Sequence, residues 1–328
     1  MRRLSVFRHE IGLGLLTILL LVLVTCAFPR FLAIDNIKSL LDDSALLVMM
    51  AIGEMLVLLT RGVDLSIAAN AAFTGMVVAL FNAHHPQAGL APVLIFAVLI
   101  GAGLGLFNGL LVWKLRIPSI VVTLGTLSIY RGLVYLISGG AWVNSGQMSP
   151  AFQGFVRYSA FGISTLTYFG LAMALLAFWF LKFTNTGRNF YAAGNNPAAA
   201  SYAGVDVGRL QCLAFLLSGM ISGLCGYFWV ARFAVAYTDI ASGFELQVIA
   251  ACVIGGISIT GGVGTVAGLV LGGLFLSIIK NALPVVGISP FFQLAVSGLV
   301  ITVTVVINSM SDRRTHSRKI LEAREVVS

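Results

Sequence analysis

The chain has 328 residues, of which 59% are hydrophobic and only 10% charged, and its mean hydropathy is +0.99. Soluble domains carry about 25% charged residues, so a soluble globular protein, a disordered chain and a nucleic-acid-binding domain are excluded. The net charge of +8 is assigned to membrane topology rather than to a nucleic-acid partner.

A spanning helix takes ~20 apolar residues, so the length accommodates about ten spans. The apolar runs are too long and too little alternated for the ~10-residue strands of a membrane barrel. The expected class is therefore all-α, a polytopic membrane protein. The N-terminus, MRRLSVFRHE, is basic and precedes the apolar run IGLGLLTILLLVLVTCAF. That run exceeds the roughly 7–15 residues of a signal-peptide core and lacks its small-residue cleavage site, which makes it a retained first span. Further spans are expected near 45–60, 65–83, 91–113, 117–137, 163–182, 211–232, 244–258, 262–282 and 291–309. Residues 1–10 form an N-terminal segment, 11–309 the membrane domain and 310–328 a charged tail.

With the N-terminus inside, fourteen of the 20 Lys and Arg fall on the cytoplasmic side, the sign expected for cytoplasmic loops. An even number of spans also keeps the basic tail inside, so both termini are expected in the cytoplasm. The loop 138–162 is then external and the longest internal loop is 182–210. Cys26, Cys212, Cys225 and Cys252 lie in apolar stretches and read as small buried hydrophobes. Gly101, Gly105 and Gly109 recur every four residues, as do Gly264, Gly268 and Gly272, and Gly219 with Gly223. Such spacing lets another backbone approach closely, so tight helix packing is expected, with a gating hinge as the alternative.

Catalytic machinery is not in evidence. The sequence has no phosphate-binding loop of the G-x-x-x-x-G-K-[ST] kind, no G-x-S-x-G elbow and no histidine within a span. No catalytic residue, bound cofactor or metal site is expected. Ionisable groups do occur at membrane depth, where they are costly and mark a pathway or a buried pair. Glu54 sits within a span, Asp64 in the break TRGVDLSIAAN, and Glu245 opens the eighth span. Asp64 reads either as a cap on the third span, paired with Arg61, or as part of a transport route; Glu54 reads as structural or functional. Residues 60–70 and GGISITGGVG (255–264) form two Gly-containing broken segments. Discontinuous helices point to substrate paths in transporters, and surface loops are the alternative. Ser119, Thr123, Thr126 and Tyr130 are spaced to share one helical face. They line a wet path for a neutral solute or bond their own helix carbonyls. Arg61 and Asn70 complete the path candidates.

Five stretches taken in order, LTRGVDLSIAAN, IPSIVVTLGTLSIYRG, GRNFYAAGNNPAAASYAGVDVGRL, ELQVIAACVIGGISITGGVGTVAG and ISPFFQLAVSGLVI, resemble the permease subunits of bacterial ABC sugar importers, the ribose/xylose/arabinose group. The likeness runs over roughly residues 10–310. ISGGAWVN, MSPAFQ and FNGLLVWKLRIP look most like rhamnose permeases, with autoinducer-2 permeases next. The resemblance implies a separate cytoplasmic ATPase that uses ATP, a periplasmic sugar-binding protein, and a second permease chain, identical or related. It also implies that Gly187, Arg188, Gly194, Asn195, Asn196, Ala200 and Gly204 belong to the segment that couples to the ATPase. Pro197 is suited to begin a short helix there and Gly204 to end it, with Ala200 and Gly204 on one face. A solvated loop, an ion-coupled carrier using Glu54 and Asp64, an intramembrane enzyme and a membrane scaffold are the competing readings.

Overall fold

A computed structural model describes residues 2–285 and 298–299. The expected tenth span, the tail and the stretch ISPFFQLAVSGLVI lie at least partly outside the described residues. The chain forms two units, residues 1–279 and 280–328. Of the second, the described residues are the last turn of a helix and the helical pair 298–299.

The expected spans become helices wherever the chain is described. They are α1 (Arg2–Ala27), α2 (Ile34–Leu59), α3 (Ile67–His84), α4 (Leu90–Lys114) and α5 (Ser119–Ser138), then α7 (Thr165–Phe183), α10 (Val207–Phe233), α11 (Phe244–Ile254) and α12 (Val266–Val285). Three shorter helices lie between them: α6 (Pro150–Arg157), α8 (Asn185–Asn195) and α9 (Pro197–Tyr202). Among the described residues, seven helices are long and apolar enough to cross a membrane: Arg8–Ala27 of α1, α3, α4, α5, α7, α10 and Val266–Leu283 of α12. The chain is a multi-pass membrane protein. The other two expected spans differ in kind. α2 begins eleven residues before the expected start, at an acidic first turn (Asp35) that suits the positive end of the helix dipole. α11 is short because Gly255 and Gly256 end it.

Burial separates the helices into a core and a shell. Residues 44–59 of α2 are buried on every side, and α3 and the middle of α10 nearly so. α10 runs through the centre against α2, α3 and α4. α1 instead turns Leu15, Ile18, Leu19 and Leu23 outward, as a helix facing lipid would.

The α4–α10 contact is set by glycine. A Cβ at Gly105 would lie 2.2 Å from the Phe215 carbonyl oxygen, and one at Gly219 2.3 Å from that of Gly101. Backbone therefore meets backbone, as the four-residue spacing predicts. Gly105→Leu is expected to destabilise the protein by ~3 kcal/mol or more, since the obstacle is main chain that cannot turn aside. Gly103→Leu on the same helix, where a Cβ meets nothing within 4 Å, is its control. Thermal unfolding of the two purified variants should separate them; equal stability would refute this account of the packing.

Two pairs of short strands close one end of the bundle. β1 (Val143–Asn144) pairs antiparallel with β4 (Val235–Ala236), which ties the loop after α5 to the loop after α10. β2 (Ser159–Ala160) and β3 (Ile163–Ser164) form a hairpin. At the other end meet the α2–α3 break, α8–α9 and the α11–α12 connection.

Candidate functional site

Between α2 and α3, residues 60–66 are non-helical and, apart from the exposed Arg61, buried or half-buried, so their backbone groups need protein partners. The polar residues singled out in the sequence supply them. Glu54 Oε1 accepts from the Asp64 backbone N–H at 3.1 Å. Asp64 Oδ1 accepts from the Ser66 N–H at 3.0 Å and the Ser66 hydroxyl at 2.6 Å. Ser119 Oγ accepts from the Val63 N–H at 3.1 Å. Around this core, Ser218 donates to Asp64 Oδ2 (3.4 Å) and Asn108 donates to Ser66 Oγ (2.8 Å). Glu54 and Asp64 are both buried, and Glu54 Oε2 has no hydrogen-bond partner among the described residues.

The expected Arg61–Asp64 pair does not form. Arg61 adopts a left-handed backbone (φ 67°) that turns its side chain away from the carboxylates. Its Nε donates to the Gly194 carbonyl at 2.7 Å and its second guanidinium nitrogen to that of Asn195 at 3.2 Å. Asp64 is held by hydroxyl and amide donors instead.

The α5 stripe faces inward. Thr123, Thr126 and Tyr130 are buried, and Ser119 is half-buried. Thr123 donates to the Ser119 carbonyl (2.9 Å), Thr126 to that of Thr123 (3.4 Å), and Tyr130 to that of Leu104 (2.9 Å). Asn70 donates to the Gly101 carbonyl at 3.2 Å. Thr126, Tyr130 and Asn70 therefore bond helix carbonyls, their own or a neighbour's, whereas Ser119 and Thr123 also hold the break, Thr123 by donating to the Val63 carbonyl at 3.2 Å.

The α8–α9 segment is docked on both breaks. A Cβ at Gly194 would lie 1.8 Å from the Leu59 carbonyl oxygen, so only glycine permits this approach. That same oxygen accepts from the Gly262 N–H at 3.1 Å, and Tyr191 donates to the Gly264 carbonyl at 3.0 Å. Burial there pushes the Tyr191 hydroxyl up to about 12. One junction thus joins the end of α2, Arg61, the end of α8 and the second glycine-rich break. Gly187 packs against the end of α7, where a Cβ would come 2.3 Å from the Phe180 carbonyl oxygen. Arg188 is exposed and donates to the Asn185 side chain.

The short helix α9 starts and stops as expected. Asn196 caps it by accepting from the Ala199 N–H at 3.1 Å, and Pro197 occupies its first position. At its end Gly204 is left-handed (φ 83°), with Val205 N–H bonded to the Ala200 carbonyl and Gly204 N–H to that of Ser201. The shared face is a different matter. Ala200 points into the protein and is buried, whereas Gly204 stands past the helix in open space. The exposed face carries Tyr202, which is 94% exposed.

Several participants escaped the sequence reading. Ser218 and Ser222 sit four apart on α10, and Ser222 donates to the Ile67 carbonyl at 2.6 Å. Asn108 is a lone amide in an otherwise apolar run. Their polarity at helical spacing is a usable signal, but their partners are distant in sequence.

A family described as "Branched-chain amino acid transport system / permease component" matches residues 36–305. The chain is 38% identical over 275 residues to the autoinducer 2 import system permease protein LsrC of Enterobacter sp. (strain 638), covering 83% of this chain and 78% of that one. It is 36% identical over 293 residues to the LsrC of Klebsiella pneumoniae, covering 89% and 84%. With the LsrC of Yersinia pestis (strain Pestoides F) the identity is 34% over 291 residues, covering 88% and 82%. No solved structure matches. By this extent of similarity the chain belongs to the branched-chain amino acid transport system permease component family, and it is a transport subunit of the ABC sugar-importer type that its motifs resemble.

Proposed function

We propose that the chain carries a small sugar across the bacterial inner membrane as one half of an ATP-driven importer, with autoinducer 2 as its substrate. Rhamnose, favoured by local likeness, gives way because relatives named for autoinducer 2 match along most of both lengths. The observation that carries the importer reading is the junction at Gly194. An exposed two-helix platform, α8–α9, is bonded through Arg61 to a broken segment inside the bundle, so force applied outside has a route inward.

In this reading Gly187, Arg188, Gly194, Asn195, Asn196, Ala200 and Gly204 build the seat for a cytoplasmic ATPase. A sugar-loaded binding protein docks at the opposite, periplasmic end, and a second permease chain completes the path. Glu54, Asp64, Asn70, Ser119, Thr123, Thr126 and Tyr130 serve that path by fixing the break and its neighbours. ATP is hydrolysed by the partner, and this chain has no catalytic residue.

The test is uptake. Cells lacking their own autoinducer-2 importer receive this chain with its ATPase and binding protein, and the medium is assayed for autoinducer 2 and rhamnose. Loss of autoinducer 2 alone is the expected result; loss of rhamnose alone would reverse the substrate assignment. Uptake by this chain without an ATPase, abolished by collapsing the proton gradient, would favour the ion-coupled carrier.

The orientation has its own measurement. In a background with the exposed Cys26 replaced by serine, a cysteine at Ser145 should react with an impermeant reagent on intact cells. One at Asn195 should react only after permeabilisation. The reverse pattern would overturn both the topology and the ATPase seat.

A further inference from the structure

At the β1–β4 end of the bundle, three chain segments bring together side chains of a distinctive kind. Trp142 follows α5 and its ring lies 5.5 Å from that of Tyr237, which follows β4. The two-residue ladder between Val143–Asn144 and Val235–Ala236 holds the loops carrying these rings in register. Arg131 of α5 donates to the Ile240 carbonyl at 2.5 Å, pinning the next turn, and lies in the electrostatic field of Asp239 and Glu245. Tyr135, one turn further along α5, places its hydroxyl 3.5 Å from both Asp239 carboxylate oxygens. Glu245 opens α11, and its Oε2 is buried with no hydrogen-bond partner among the described residues.

Each part has the chemistry a sugar requires. An aromatic plane covers the C–H face of a pyranose or furanose ring, while carboxylates accept from its hydroxyls and a guanidinium donates to them. Two carboxylates against one guanidinium leave the group without net positive charge, so it suits a neutral, unphosphorylated sugar rather than an anion. Trp142 is 58% and Tyr135 49% exposed, so both present open surface. From Tyr135 the outward face of α5 continues through Gly132, Ser128 and Gly125, and a Cβ at either glycine meets nothing within 4 Å. The polar stripe of α5 is turned inward; its open side carries these small residues beside the exposed Val121, Leu124, Ile129 and Leu136.

We propose that Trp142, Tyr237, Tyr135, Asp239, Arg131 and Glu245 form a receiving site on the permease for a neutral monosaccharide. It takes the sugar as the binding protein releases it and passes it to the open face of α5. The proposal rests on the sugar-importer reading and adds to it a site on this chain.

The experiment uses the permease–ATPase assembly in lipid nanodiscs without binding protein, with autoinducer 2, D-ribose and L-rhamnose as probes at millimolar concentration. Saturation-transfer NMR is expected to show contact with the probe that the complete system imports. Trp142→Ala and Asp239→Asn should each reduce that signal at least tenfold. Asp239 is exposed and the replacement isosteric, so ATPase retention should stay normal in that variant. In proteoliposomes with saturating loaded binding protein, transport should fall about as far while the affinity for the binding protein is unchanged. No saturation transfer with a probe that is imported would overturn the site and leave the importer reading intact. An undiminished signal in both variants would overturn it as well. Weakened docking of the binding protein with an unchanged sugar signal would reassign the cluster to protein contact. If the complete assembly imports none of the sugars, the importer reading falls and the site with it.

Discussion

Tyr202→Ala is expected to abolish sugar uptake while leaving the permease at normal abundance in the membrane. Tyr202 is 94% exposed at the end of α9, on the side turned away from the bundle. Removing it takes nothing from the fold, since exposed substitutions usually change stability by less than ~0.5 kcal/mol. A buried aromatic anchor in a protein interface is worth ~2 kcal/mol or more, which is roughly a 30-fold loss of affinity. Gly204→Glu is expected to act in the same direction. The position is left-handed, so the new side chain carries a backbone cost of ~1–2 kcal/mol, but it clashes with nothing. The measurement is ATPase co-purification alongside uptake. If both variants retain the ATPase at wild-type levels, α9 is not the seat.

Arg61→Ala is expected to separate attachment from transport. The substitution leaves the exposed anchor Tyr202 in place, so the ATPase should still co-purify. What is lost is a charged pair of hydrogen bonds to the Gly194 and Asn195 carbonyls, each bond to a charged group contributing about 1.5–3 kcal/mol. ATP hydrolysis in proteoliposomes should persist while sugar transport falls at least tenfold. Arg61→Lys should rescue little, because one ammonium cannot reproduce the fork that meets two carbonyls. Coupled transport at normal efficiency in Arg61→Ala would show that motion does not pass through this junction.

The glycine periodicity and the apolar runs are local, and the sequence alone was enough for them. A membrane helix is specified by ~20 consecutive residues, and a close helix contact by small residues four apart. Both ends of α9 were equally legible, because a cap depends on one asparagine, one proline and one glycine within a few positions. Direction and partnership were not. The stripe Ser119, Thr123, Thr126 and Tyr130 does share one face of α5, but which neighbour that face meets depends on how α5 sits against α3, α4 and the break. Arg61 and Asp64 are three residues apart, so proximity in sequence points to a pair. The left-handed turn at Arg61 and the arrival of Gly194, 133 positions later, decide otherwise. Nor does any local pattern bring Trp142 to Tyr237 or Arg131 to Ile240, since a two-residue strand pair carries no sequence signal of its own. The sequence determines which segments are long and apolar enough to cross the membrane. Only the tertiary structure decides which polar groups hold the bundle together and which remain open to a sugar or a partner, because a buried polar group bonds whatever donor or acceptor the packing brings within reach, however distant in sequence.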